Sequence, residues 1–287
     1  MSARREAGIP PGAEIMDAAS FFGLERGPDR TWRLPVAREL CSGLGALFGG
    51  VGLGAAVEAL EQEFGRPVVW ATAQFLSFAR PPSTVEIQVT EIVRGHRSSQ
   101  VRATGTVEGE EIFSVVGAAG TRALEVEGAW AVAPRVPPVE DCPTRPILEQ
   151  HRGTLAERLE IRLANARSAD ELPGPPGDGR SALWVRVPEI EISAATLSIV
   201  GDYVPFGISQ ALGRRAGGNS LDNTVRIVHR HSTEWMLADI RVHAVADGFG
   251  HGLVHLWSED STLLATASQS TIVRPWRDEP TSEEKTP

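Results

Sequence analysis

The chain has 287 residues, 41% apolar and 23% charged, close to globular averages, so a sizeable core in one large domain or two ordinary ones is feasible. The net charge of −9 comes with no basic block, which argues against nucleic-acid binding, because phosphate contacts need clustered Lys and Arg. No apolar run reaches membrane-span length, and the polar start Met1–Ala13 does not read as a signal peptide. Cys41 and Cys142 form neither a disulfide framework nor a metal spacing, and a reducing cytoplasm is the simplest setting.

The two ends, residues 1–15 and 277–287, are expected to be disordered; the tail is charged and lacks apolar residues. Gly43–Phe64 reads as one helix, small and apolar at its start and polar at its end. Five glycines fall between Gly43 and Gly52, and each costs about 1 kcal/mol relative to alanine. Such a helix requires very close packing around it, expected from a tightly wrapped sheet. Strands are predicted at Val68–Phe78, around Val85, Ile87 and Val89, at Gln100–Val107 and at Glu111–Ala119. In the second of these, Glu86, Gln88 and Thr90 alternate with the apolar residues, as in a half-buried strand.

Leu124–Arg180 is less regular. Its Pro-rich piece Ala133–Pro138 reads as a connector and Glu171–Gly179 as a loop. Thr154–Asn165 is compatible with strand or helix, and Ala182–Val187 with a strand. Ser193 can cap a short helix, Ala194–Val204, stopped by Pro205. Strands are predicted at Ser220–Arg230, Glu234–Val245, Gly252–Ser258 and Leu263–Val273. The helix-then-four-strands order thus occurs twice. STVEIQVTEI (83–92) aligns with HSTEWMLADI (231–240) at an offset of 148, and the last strands align at 151. A helix followed by a long antiparallel meander implies an α+β double hotdog fold, two helix-wrapped antiparallel sheets in tandem. The expected layout is an N-terminal hotdog domain over 16–124, a linker over 125–144 and a C-terminal hotdog domain over 145–276. Joining the copies edge to edge removes two exposed sheet edges.

Several segments resemble the acyl-CoA thioesterase II family of double-hotdog enzymes. LFGGVGLGAAVEA and FLSFARP in the first half, and SLDNTVRIVHR, EWML and ATASQSTIVR in the second, are similar to that family's segments in order and spacing, from Leu34 to Trp276. The resemblance implies a helix Asp, a strand hydroxyl and a last-strand Gln at the active site, which fall on Asp202, Ser220 and Gln269. Asn223 stands where the family commonly has His, and His231 where it has Pro. The repeat places Gly54, Thr72 and Ala118 opposite the three, so the first copy lacks the carboxylate and the amide and serves as scaffold and pocket wall. The resemblance further implies hydrolysis of acyl-CoA to free acid and CoA by an activated water, without metal or cofactor, in a homo-oligomer.

The residues themselves suit that chemistry. Asp202 follows Leu197, Ile199 and Val200, and burial there, with a nearby helix C-terminus, would raise its pKa toward general-base values. Gln269 shares an apolar strand face with Ala265 and Ala267 and must find hydrogen-bond partners. Water held between these groups and Ser220 would be the nucleophile. Taken alone, Asp202 reads equally as a cap, Ser220 as strand punctuation pointing away from the helix, and Gln269 as structural. Asp222 rivals Asp202 as base. Gly50-Val-Gly52-Leu-Gly54 is read as packing, since no clear strand precedes it and its spacing does not suit a dinucleotide loop. The pairs His229/His231 and His251/His255 share strand faces but lack acidic or Cys partners for a metal. Trp235 and Trp257 read as core, and no G-x-S-x-G elbow occurs. Two other functions stay open: a non-catalytic acyl-CoA binding protein, and a hotdog hydratase, which the absence of His shortly after Asp202 disfavours.

Overall fold

A computed structural model describes residues 15–275. The ends expected to be disordered, apart from Ile15, lie outside the described residues. The first half contains α1 (Ala18–Phe22), β1 (Glu25–Arg26), β2 (Thr31–Val36), α2 (Gly49–Phe64), β3 (Val68–Phe75), β4 (Ser83–Arg94), β5 (Ser98–Val107) and β6 (Glu110–Gly120). The second contains α3 (Leu155–Arg158), β7 (Glu160–Asn165), β8 (Arg180–Arg186), α4 (Ala194–Gly201), α5 (Val204–Leu212), β9 (Ala216–Ser220), β10 (Asp222–Ile227), β11 (Met236–Ala246), β12 (Phe249–Ser258) and β13 (Leu263–Pro275).

One antiparallel sheet runs through both halves in the order β1-β2-β4-β5-β6-β3-β10-β13-β12-β11-β8-β7, with β9 pairing beside it on β13. The halves meet at β3 and β10, where Thr72 lies opposite Thr224 and their hydroxyls hydrogen-bond at 2.9 Å. Joining these strands satisfies two rows of backbone groups that would otherwise be open edges. The alternation read in β4 is realised: Val85, Ile87 and Val89 are buried while Glu86, Gln88 and Thr90 are exposed.

The helix expected from Gly43 begins only at Gly49. Residues 43–48 form a turn instead, with Gly45 at φ +70° and the ring of His151 where a Cβ on Gly43 would sit. The glycines within α2 are explained chiefly by a second helix. A Cβ on Gly50 would lie 2.8 Å from Ser198 O, and one on Gly54 would lie 2.9 Å from Ala195 O, both on α4. Gly52 faces the sheet, where a Cβ would lie 3.3 Å from Phe113, and one on Gly49 would lie between Asp202 and the β3 residue Phe75, at 2.8 and 2.9 Å. The expectation of a tightly wrapped sheet is thus corrected to a close helix–helix crossing, with α2 and α4 backbones in near contact.

The helix expected over Ala194–Val204 is also divided. Ser193 caps α4 through Thr196 N at 3.2 Å, but α4 ends at Gly201, and Pro205 lies in the first turn of α5. Proline is suited to that position because it has no N–H to leave unsatisfied. Thr154–Asn165 proves to be both alternatives in series: Thr154 caps the single turn α3, and β7 follows. The strand expected at Ser220–Arg230 breaks at Leu221 into β9 and β10, and α1, β1 and β2 carried no clear sequence signal.

The segment joining the halves lies on the outer face of the second sheet. Ala131, Ala133, Val136 and Val139 pack there against Trp184, Trp235, Leu237 and Trp257, and Trp184 Nε1 donates to Pro137 O at 3.0 Å. Trp235 and Trp257 are buried in this layer, as core residues. Among the described residues no helix is long and apolar enough to cross a membrane.

Candidate active site

Asp202 occupies the break between α4 and α5, facing the N-terminus of α2. It is 3% exposed. Gly50 N–H donates to its Oδ2 at 2.6 Å, Ser220 Oγ donates to Oδ1 at 3.2 Å, and Gln269 Nε2 also donates to Oδ1. Gln269 Nε2 reaches Ser220 Oγ as well, at 2.6 Å. The fold thus brings Asp202, Ser220 and Gln269 into one hydrogen-bonded cluster, from a helix break and two strands 18 and 67 residues away in sequence.

Ser220 reaches the cluster by an irregularity that alternation could not show. Leu221 N bonds to Ser270 O and Leu221 O accepts from Phe75 N, while Asp222 Oδ1 accepts from Ser270 N at 2.8 Å. This kink between β9 and β10 resets the parity, so Ser220 joins the inward side that Asn223 and Val225 occupy further along. Asp222, the rival base, is held at this kink by the Ser270 amide.

Burial pushes the Asp202 carboxyl up to about 7, because a charge there loses its water. The Gly50 amide, Gln269 and Ser220 hydrogen bonds pull the other way, and the Asp222 charge adds a small push upward. Burial was the expected cause. The helix C-terminus is outweighed locally by the facing N-terminus of α2, whose amide stabilises the charged form.

Asp202 and Ser220 line a cavity of about 320 Å³, and Gln269 backs them through its hydrogen bonds to both. Phe48, Phe75, Phe78, Tyr203 and Phe206 supply aromatic lining, and both halves contribute. Among the described residues Asp202 is the single acidic one on its wall, whereas Arg145, Arg167 and Arg215 all line it. Sequence reading did not single out these arginines, since they are scattered along the chain. Arg167 donates to Pro175 O and Gln210 O, and Arg215 to Ala169 O at 2.9 Å. Arg145 has no ion-pair partner among the described residues; its guanidinium lies 5.2 Å from the Phe206 ring centroid and reaches Tyr203. Gly49 N–H, the first of α2, has no partner among the described residues and opens on the same cavity.

The two histidine pairs singled out in the sequence do not line this cavity. His229 and His231 fall beyond the end of β10, so they share no strand face, and His229 Nδ1 contacts Leu263 O at 2.8 Å. His251 Nδ1 lies 3.1 Å from Ser270 Oγ.

Fold and site define a double-hotdog protein with one carboxylate–hydroxyl–amide cluster at a cavity between its halves. Residues 139–273 match the family described as acyl-CoA thioesterase C-terminal domain. The chain is similar along most of its length to a structure assigned to the thioesterases from Novosphingobium aromaticivorans. The two are 32% identical over 87% of this chain and 97% of that one, with a TM-score of 0.77. It shares its fold with a hot dog protein of Alicyclobacillus acidocaldarius, at 20% identity, 91% and 98% coverage and a TM-score of 0.78. The acyl-CoA thioesterase II TesB2 of Mycobacterium marinum has the same fold, at 20% identity, 90% and 98% coverage and a TM-score of 0.71. No curated protein sequence matches. The chain belongs to the acyl-CoA thioesterase family.

Proposed function

We propose that this thioesterase hydrolyses acyl-CoA through a water activated by Asp202, with Ser220 and Gln269 holding that water in line with the thioester carbonyl. The carboxylate takes a proton from the water as its oxygen bonds to the carbonyl carbon. The oxyanion is received by Gly49 N–H at the positive end of α2. The C–S bond then breaks, the proton passes to the CoA sulfur, and free acid and CoA leave. Gln269 donates to the water or carboxylate and keeps the base oriented.

One observation carries this reading: among the described residues the single acidic side chain on the cavity wall is also the buried one raised to about 7, bonded to both other members of the cluster. A base whose pKa lies near neutrality is well matched to proton transfer. The arginine-lined remainder of the cavity, in a chain of net charge −9, suits the anionic phosphates of CoA. In this reading residues 16–124 form scaffold and cavity wall and 145–276 bear the chemistry. The chain acts in the cytoplasm as a homo-oligomer, and the outer face at the β3–β6 pair, where Val116 is 42% exposed opposite Thr72, offers a surface for a second copy.

Thiol release from short- to long-chain acyl-CoA by wild type and Asp202→Asn tests the proposal. A loss of several orders of magnitude in a folded variant is expected. Unchanged release would move the base to Asp222, and binding without release would leave an acyl-CoA binding protein.

A further inference from the structure

Asn223 is fully buried, yet neither its Nδ2 nor its Oδ1 has a hydrogen-bond partner among the described residues. Buried polar groups are nearly always satisfied, so an amide with both ends free needs an explanation. A second buried amide has a free atom: Gln269 Oε1. The β10–β13 register pairs Val225 with Ala267 and Thr224 with Ser268. Continued by one residue, it sets Asn223 beside Gln269, both on the inward face that Val225 and Ala267 share.

The two amides are complementary. Gln269 has committed its Nε2 to Asp202 and Ser220 and has only Oε1 left to satisfy. Asn223 Nδ2 is a donor in search of an acceptor. An amide can rotate by half a turn about its last bond, exchanging O and N at little steric cost. For Gln269 the exchange would set Oε1 against the Asp202 carboxylate, two acceptors facing each other, and would withdraw the donor from Ser220.

We propose that Asn223 is a positioning residue of the active site, donating from Nδ2 to Gln269 Oε1 through one bridging water, and so fixing the Gln269 amide with its Nε2 toward Asp202 and Ser220. Asn223 touches neither substrate nor the reacting atoms; it acts only through Gln269. The inference rests on the proposed function, since it assigns Gln269 to the reaction.

The test is a double-mutant cycle on acyl-CoA thiol release, with Asn223→Leu and Gln269→Ala singly and together. Asn223→Leu keeps the branched shape and removes both unpaired atoms but adds volume, and thermal melting checks that it folds. Asn223→Val, which removes the amide without adding an ionisable group, is the second variant. Each Asn223 variant should lose roughly 10- to 100-fold in kcat with KM within about threefold, as when an outer partner of a reacting group is removed. The pH midpoint of kcat should rise, because Asp202 faces a freely rotating amide. In the Gln269→Ala background, Asn223→Leu should have no further effect. Full kcat with an unshifted pH profile in either folded Asn223 variant, or losses that multiply independently with Gln269→Ala, would overturn the proposal. If Gln269→Ala and Asp202→Asn both leave thiol release intact, it is the underlying reading of the site that fails.

Discussion

Gly50 N–H donates to Asp202 Oδ2 at 2.6 Å across 152 residues of sequence. The bond joins the start of the first half's helix to the break after the second half's helix. It exists because α2 and α4 approach closely enough that a Cβ on Gly50 would overlap Ser198 O and Ile199 Cα, both at 2.8 Å. The N-terminal half thus supplies no side-chain carboxylate to the cluster, but it supplies the amide that orients one.

Asp202 links activity and stability to pH in opposite senses. As a base it works when ionised, so kcat/KM, which reports the free enzyme, should rise through a midpoint near its folded value of about 7. For stability, its folded value lies above the unfolded 3.8, so the folded state holds the proton more tightly. Stability from this group is therefore intact below about 4 and falls as pH rises to about 7, by up to ~4 kcal/mol. Asp202→Asn should melt no higher than wild type in acid and clearly higher at pH about 8, measured by thermal denaturation across that range.

The helix crossing can be tested away from the chemistry. Gly54→Ala places a methyl 2.9 Å from Ala195 O and 3.1 Å from the Phe22 ring. The helix gains propensity, about 1 kcal/mol, but backbone must move, and overpacking of this kind costs about 1–3 kcal/mol. A net loss in urea denaturation is expected; a gain in stability would show that the two helices separate easily.

Ser220→Ala removes the hydroxyl between Asp202 and Gln269 and should lower kcat by about 10- to 100-fold. Ser220→Thr keeps that hydroxyl and should stay within about tenfold of wild type. Steady-state kinetics on one acyl-CoA separates the two; equal damage in both would mean that the site responds to shape and not to the hydroxyl.

Among the described residues the Arg145 guanidinium, unlike those of Arg167 and Arg215, lines the cavity without donating to a backbone carbonyl. Arg145→Gln should raise KM for acyl-CoA about 3- to 30-fold with kcat nearly unchanged, and should weaken the dependence of kcat/KM on salt. A fall in kcat at constant KM would instead place Arg145 at the reacting carbonyl, through Tyr203.

Much of this was legible in residue order. The alternation of Val85, Ile87 and Val89 and the apolar run before Asp202 report burial directly, and Gln269 among alanines marks an amide that must bond. What was hidden depended on partners distant in sequence. Gly43 reads as helical by composition, but the His151 ring beside it turns the chain there. Pro205 reads as a stop signal, yet it opens the next helix, because a break of two residues satisfies both termini. Ser220 points inward only through the kink that Ser270 and Asp222 hold, which no period-two pattern contains.

The segment that joins the halves is a strap over Trp184 and Trp257 more than a spacer. A linker that merely tethers can be lengthened, cut or replaced by glycine and serine. This one cannot, because its removal would bare a tryptophan-rich surface. Splitting the chain near Pro137 would not release two independent modules; it would leave a C-terminal fragment with an adhesive back. An engineer wishing to fuse a new domain here, or to permute the chain, would do better at the Glu108–Gly109 or Asp247–Gly248 hairpin turns, which nothing covers.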